Sequence, residues 1–164
     1  MDSQFTSERM MHLAQVCREQ RLPLTVQRRA VFEAILGRDD HPTADQICDQ
    51  VRRSQPNISR TTVYRILDTF VGVGVVARIC HPGSVARFDP KTYQHHHLVC
   101  LHCEKIVDFE DERLNGIDSP DVRRHGFRID DYHIHFRGIC AACRTKRRAQ
   151  GSARARAGRK AKRW

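Results

Sequence analysis

Apolar residues recur at helical spacing four times in the first half of the chain, and each stretch is punctuated by a capping residue. Ser7 is placed to cap a helix carrying Met10, Met11, Leu13, Ala14 and Cys17. Thr25 caps a second, with Val31, Phe32, Ile35 and Leu36 on one face and Gly37 as the stop. Thr43 opens a third, holding Ala44, Ile47 and Val51, with Pro56 beyond its end. Ser59 opens a fourth, whose buried stripe is Val63, Ile66, Leu67 and Phe70. Its outward side presents Arg60, Thr61, Tyr64, Arg65 and Asp68.

After Gly72 and Gly74 the pattern shortens to β segments, 75–80 and 85–88, around the turn His81-Pro82-Gly83-Ser84. Helices followed by a small hairpin predict a winged helix-turn-helix, with the fourth helix for recognition and the hairpin as wing. A plain helical bundle with a solvated polar face is the alternative. Beyond residue 88 the reading is mixed. Segments 97–101 and 105–109 read as strands, 121–125 as a short helix, and 127–139 as a strand interrupted by Asp130 and Asp131. The fold class is therefore α+β: a winged-helix domain over 1–88, then a small α/β domain over 89–143. So small a module has a thin core, and a structural metal or a dimer partner would help it fold.

Charge changes the picture at the end of the chain. The formal net charge is +10, yet residues 144–164 alone carry ten Lys or Arg and no acid, so residues 1–143 are balanced. That tail, rich in Ala, Gly, Arg and Lys, is expected to be disordered. It either adds salt-sensitive affinity for nucleic acid or is a neutral extension. No stretch approaches transmembrane length and no apolar run resembles a signal peptide, so a cytoplasmic protein without membrane contact is expected.

The cysteines carry the clearest chemistry. Cys100-Leu-His-Cys103 and Cys140-Ala-Ala-Cys143 are two pairs with a two-residue spacer, which lets both thiolates of a pair face one ion. Zn2+ suits a closed, all-sulfur, redox-inert site; an iron–sulfur cluster is the alternative. Cys17 and Cys48 fall on buried helix faces and read as core residues, and Cys80 reads as wing packing rather than a reactive thiol. Just before the first pair stands His95-His96-His97. On a strand His95 and His97 point one way and His96 the other, which favours a His-x-His ligand pair. Asp89 and Asp108 flank it, and His41 sits at the start of the third helix.

Several segments taken together resemble the ferric uptake regulator superfamily. They are Leu24-Thr-Val-Gln-Arg28, His41-Pro-Thr-Ala-Asp45, Thr62-Val-Tyr-Arg-Ile-Leu67, Arg87-Phe-Asp89, His95-His-His-Leu-Val-Cys100 and Ile106-Val-Asp-Phe109. The resemblance spans roughly residues 7–143. It implies a dimeric, metal-dependent repressor with a dimerisation domain after the winged helix. It also implies a regulatory metal held by His41, Asp89, His95, His97 and Asp108, beside the structural zinc of Cys100, Cys103, Cys140 and Cys143. Three imidazoles and two carboxylates suit Fe2+ or Mn2+. His41 would come from the winged helix and the others from the linker and second domain, so metal binding would fix the two domains in one orientation.

Asp at both 89 and 108, where iron-uptake members typically have Glu, resembles the peroxide-sensing branch. In that branch Fe2+ reacts with peroxide and oxygen is added to ligand histidines, which here would be His41 and His95. Zinc-sensing relatives usually place a Cys in the regulatory site, and none lies between Cys80 and Cys100. Three departures stand out. Arg65 follows Tyr64 as in many iron-uptake regulators; Tyr132 replaces a His needed for a third metal site; and Pro23 replaces a basic minor-groove residue, with Arg21 as the candidate substitute. The expected partner is a double-stranded operator with an inverted repeat, read by two recognition helices of a homodimer. Ser59, Thr61 and Thr62 are natural phosphate donors, Tyr64 packs on a thymine methyl, and Arg65 reaches a guanine edge or a phosphate. An iron-uptake regulator responding to Fe2+ occupancy is the alternative. A metalloenzyme is disfavoured because no nucleophile or substrate pocket is legible, and a passive metal buffer is disfavoured by the recognition helix.

Overall fold

Thr25, Thr43 and Ser59 each spend their side-chain oxygen on a helix start. Thr25 Oγ1 accepts the Arg28 N–H at 3.2 Å, Thr43 Oγ1 that of Gln46 at 3.3 Å, and Ser59 Oγ that of Thr62 at 3.0 Å. Gln46 returns the bond to the Thr43 N–H at 2.9 Å, completing a capping box. These caps set three of the four helices in the first unit of a computed structural model that describes residues 2–80, 85–118, 120–129 and 132–146. The helices are α1 (Ser3–Glu19), α2 (Val26–Leu36), α3 (Ala44–Ser54) and α4 (Arg60–Gly72). β1 (Ala77–Ile79) and β2 (Arg87–Asp89) follow as an antiparallel pair, with Ala77 opposite Asp89.

The first unit runs Met1–Tyr93. Its core is the apolar stripe of each helix, with Phe32 of α2 edge-on to Phe70 of α4 at 5.5 Å. Both rings are fully buried, worth about 1.5–3 kcal/mol each in apolar transfer. Three expectations need correcting. α1 begins four residues before Ser7, because Asp2 accepts the Gln4 N–H and caps the helix there. Met11 is 63% exposed, the opposite side of α1 from Leu13 and Cys17. Cys80 is exposed rather than packed under the wing. Val75 and Val76 are buried in the helical core before the first strand begins, and the Val75 N–H donates to Phe70 O at 3.0 Å. The turn 81–84 lies outside the described residues.

The second unit begins at Gln94. β3 (His96–Cys100) is the central strand of a three-stranded sheet, antiparallel to β4 (Ile106–Phe109) and parallel to β5 (His135–Gly138). The long strand expected over 127–139 shrinks to β5, and Asp130 and Asp131 lie outside the described residues. The helix expected at 121–125 is a single 3-10 turn, Arg123–His125. One short helix, α5 (Glu112–Asn115), was not legible in the pattern; Asp111 caps it through the Arg113 N–H at 3.0 Å. Residues 141–146 are helical, so Arg144–Lys146 continue a helix instead of starting a disordered tail. The rest of that tail lies outside the described residues.

Candidate metal centres and nucleic-acid interface

The four cysteines come together at one end of the second unit's sheet. Cys100 ends β3, and the turn after it closes with the Glu104 N–H on Cys100 O at 2.9 Å and the Cys100 N–H on Lys105 O at 2.9 Å. Glu104 takes a left-handed backbone there, φ 57°. All four sulfurs lie within 4.8 Å of one another, with Cys103 and Cys140 3.8 Å apart. Sulfurs about 2.3 Å from a tetrahedral zinc ion stand about 3.8 Å apart, so the donor set fits that ion. Backbone N–H groups of Cys140, Cys103 and His102 hold the Cys100 thiol down at about 6. Neighbouring thiols, Cys103 foremost, push Cys143 up to about 12. Four sulfurs this close cannot all be thiolates without a cation among them.

On the same sheet, register builds a second donor set. His97 stands directly opposite Asp108 of β4 on one side and His135 of β5 on the other. Paired residues share a face, so all three project the same way, and His95 joins them two residues earlier. The Nε2 atoms of His95 and His97 are 3.0 Å apart, and Asp108 Oδ1 lies 3.8 Å and 3.5 Å from them. Adjacent ligands about 2.1 Å from an octahedral ion stand about 3.0 Å apart, so this pair suits an N/O-coordinated divalent metal. Both imidazoles are at least 98% buried. His96 faces the other way, fully buried, stacked on Tyr132 at 6.5 Å and tilted against Phe109 at 5.7 Å.

The first unit holds an imidazole–carboxylate pair of its own. His41 precedes α3 in a left-handed backbone, φ 51°, an unusual conformation for a residue with a Cβ. Its loop is pinned to β2: Arg87 donates to His41 O at 3.1 Å, and the Phe88 N–H donates to Pro42 O at 3.0 Å. That pinning brings His41 Nε2 to 3.4 Å from Asp89 Oδ2, both groups buried. Asp89 also accepts the Lys91 N–H at 2.8 Å and feels the nearby Arg9 guanidinium, which burial pulls below the ordinary arginine range.

The outward face of α4 presents Thr61, Tyr64 and Arg65 to solvent, with Ser59 at the cap and Thr62 half-buried. Ser59 and Thr62 hydroxyls are 2.8 Å apart, and their shared bond is local to the helix start. Arg65 and Thr62 line a hollow of about 330 Å³ with Pro23, Thr25 and Arg28. Arg28 donates to Pro23 O at 2.5 Å, which holds its guanidinium beside Pro23.

The family model for the ferric uptake regulator family matches residues 19–137. The chain belongs to the ferric uptake regulator family. Among curated relatives, the peroxide-responsive repressor PerR of Staphylococcus aureus is 33% identical over 129 residues, covering 79% of this chain and 87% of that protein. Among solved structures, the Vibrio cholerae ferric uptake regulator is 26% identical with a TM-score of 0.59, over 77% of this chain and 98% of that one. The Helicobacter pylori regulator, described with three functional metal binding sites, is 22% identical with a TM-score of 0.67, over 85% and 93%. As a ferric uptake regulator family member, the chain is a metal-responsive regulator of the PerR-like kind, with a winged helix followed by a dimerisation-type α/β domain.

Family membership sharpens what is particular to this chain. Tyr132 is held by a network of its own: its hydroxyl donates to Leu114 O at 2.6 Å and accepts the Ile117 N–H at 3.2 Å, while Gln94 Nε2 donates to its backbone oxygen at 2.9 Å. The ring is thus committed to packing and hydrogen bonds. Two histidines escaped the sequence reading, His133 and His135. Their rings stand 6.3 Å from His95 and 5.1 Å from His97 respectively, the latter nearly parallel. Their His-x-His spacing repeats that of His95 and His97 and was the available signal.

Proposed function

We propose that this protein is a dimeric transcriptional repressor that binds an inverted-repeat operator with Fe2+ or Mn2+ as corepressor and releases it on oxidation by peroxide. The observation that carries the reading is the chemistry of the two imidazole–carboxylate sets. His41 with Asp89 supplies two donors and His95, His97 and Asp108 supply three; neither set is a full shell by itself, and together they make five N/O donors suited to Fe2+ or Mn2+. One ion shared by both sets ties the winged helix to the second domain, and loss of a donor releases it. An Fe2+ ion held there would supply redox chemistry toward peroxide, and His41 or His95 would be the imidazole whose ring carbon takes one peroxide oxygen, the other leaving as water. The carboxylates are both Asp, and the 33% identical relative is named a peroxide-responsive repressor.

The chain's own residues do the rest. Cys100, Cys103, Cys140 and Cys143 hold Zn2+ as a static clasp, which needs the reducing cytoplasm to keep thiols available. Leu98, Val107 and Phe136 sit side by side across the three strands and are each 41–47% exposed, an apolar stripe that a second copy of the chain would cover. On the DNA side, Ser59, Thr61 and Thr62 meet phosphate, Tyr64 a thymine methyl and Arg65 a guanine edge. No helix among the described residues is long and apolar enough to cross a membrane. The protein acts by binding, not by turnover.

Gel-shift assays with Fe2+ or Mn2+, before and after peroxide, followed by peptide mass spectrometry, test the proposal. The Fe2+ form releases DNA after peroxide with oxygen added at His41 or His95, while the Mn2+ form keeps it. An Fe2+ form that holds its DNA through peroxide with both histidines intact supports the second reading, an iron-occupancy regulator, for which Tyr64-Arg65 speaks.

A further inference from the structure

One carboxylate oxygen on α3 holds two side chains of α4. Arg60 Nη2 donates to Asp45 Oδ1 at 2.6 Å, and Tyr64 Oη donates to the same atom at 3.0 Å. Arg60 and Tyr64 are one helical turn apart, so their side chains stack on one side of α4 and converge on one acceptor. All three residues remain about half exposed, so the cluster is a surface feature of the reading face and not a buried brace. The start of α3 does not need Asp45, because Thr43 and Gln46 already complete its capping box. The bond to Asp45 also holds the Tyr64 phenol above its usual range, as expected for a hydroxyl donating to a carboxylate.

We propose that Asp45 is a specificity-setting positioning residue: its carboxylate occupies the Arg60 cation and the Tyr64 hydroxyl, so that neither is available to DNA phosphates. This rests on the reading of α4 as the DNA-recognition helix. A carboxylate beside a polyanion weakens binding to every sequence alike, and a neutralised Arg60 releases no counterion. The Tyr64 ring, anchored by its hydroxyl, keeps its apolar carbons for a base methyl, a contact that only the right sequence repays. Phosphate affinity is thus lowered across all DNA while base readout is retained, and the ratio between operator and random DNA rises.

The test uses the full chain loaded with zinc and Mn2+. Its probes are a duplex selected by the wild type from a random pool and a shuffled duplex of equal composition. Fluorescence anisotropy over a salt series is run for wild type, Asp45→Ala, Asp45→Asn, Arg60→Gln and the double variant Asp45→Ala/Arg60→Gln, with melting curves for each. Asp45→Ala is expected to bind the shuffled duplex about fivefold more tightly and to steepen the log K against log salt slope by about 0.9 per protomer. The preference for the selected duplex falls with it. Arg60→Gln alone leaves the slope unchanged, and added to Asp45→Ala it restores the wild-type slope. Asp45→Asn, which keeps the side-chain shape, steepens the slope in the same direction and carries the test should Asp45→Ala melt early. Unchanged slope and preference in both Asp45 variants overturn the proposal, as does a steeper slope that survives Arg60→Gln. A wild type that prefers no duplex overturns the DNA reading itself, and this proposal with it.

Discussion

His95 and His97 face each other across 3.0 Å through their Nε2 atoms, while His96 between them is turned into a bed of Tyr132 and Phe109. A three-histidine run is thereby divided between two faces of β3: two residues for the donor set and one for packing. Strand alternation alone produces the division.

The donor side predicts a selective loss. His97→Ala or Asp108→Ala should lower Mn2+ affinity at least ~100-fold, since even supporting partners of metal ligands cost 10–100-fold. Zinc content, measured by atomic emission, should stay at one ion per chain in both variants. Loss of both metals together would mean that the two sites are not independent.

The packing side predicts a change in stability without a change in metal binding. Tyr132→Phe removes the donor to Leu114 O and the acceptor of the Ile117 N–H. Two lost hydrogen bonds should cost about 1–2 kcal/mol in urea unfolding. Mn2+ affinity should remain within twofold of wild type, as judged by calorimetry; a large fall would make Tyr132 part of the regulatory site.

In the proposed role of the cysteine cluster, zinc competes with protons for the four sulfurs. Cys100, held at about 6, is already a thiolate at pH 7.5, whereas Cys143, pushed up to about 12, must give up its proton to bind. Zinc affinity therefore rises with pH, and the slope of log K against pH between 7 and 8 should be at least one and below four. Cys143→Ser should lose zinc and unfold the second unit. A pH-independent zinc affinity would contradict this account.

On the proposed reading, Arg65 of α4 reaches a guanine edge. Arg65→Ala should cost about 1–3 kcal/mol at the operator and relax preference at the base pair it reads. Equal weakening on operator and shuffled DNA would make Arg65 a phosphate contact instead.

Local chemistry was legible in the sequence and long-range register was not. Thr25, Thr43 and Ser59 announce their helices because a cap needs only the next three residues. The Cys pairs announce a cluster because each pair is a local turn. Asp45 gave no sign of holding Tyr64, nineteen residues away, since that bond exists only once α3 packs on α4. His135 was missed for the same reason: its place beside His97 follows from the parallel pairing of β3 with β5, a partnership between strands far apart in the chain. The true start of α1 is hidden in the sequence because Asp2 lies in a polar stretch with no apolar period to mark it.

The central claim is that one regulatory ion needs both imidazole–carboxylate sets to switch on DNA binding. The direct measurement is operator binding by fluorescence anisotropy against Mn2+ concentration, with zinc retained, for wild type, His41→Asn in the first unit and His97→Ala in the second. Asn tolerates the left-handed backbone at position 41, so that variant removes the imidazole with little strain. Wild type should bind DNA only with Mn2+, and both variants should lose the metal-dependent step while still melting like wild type. DNA binding that ignores Mn2+, or a His41→Asn protein that responds to Mn2+ as wild type does, would contradict the account.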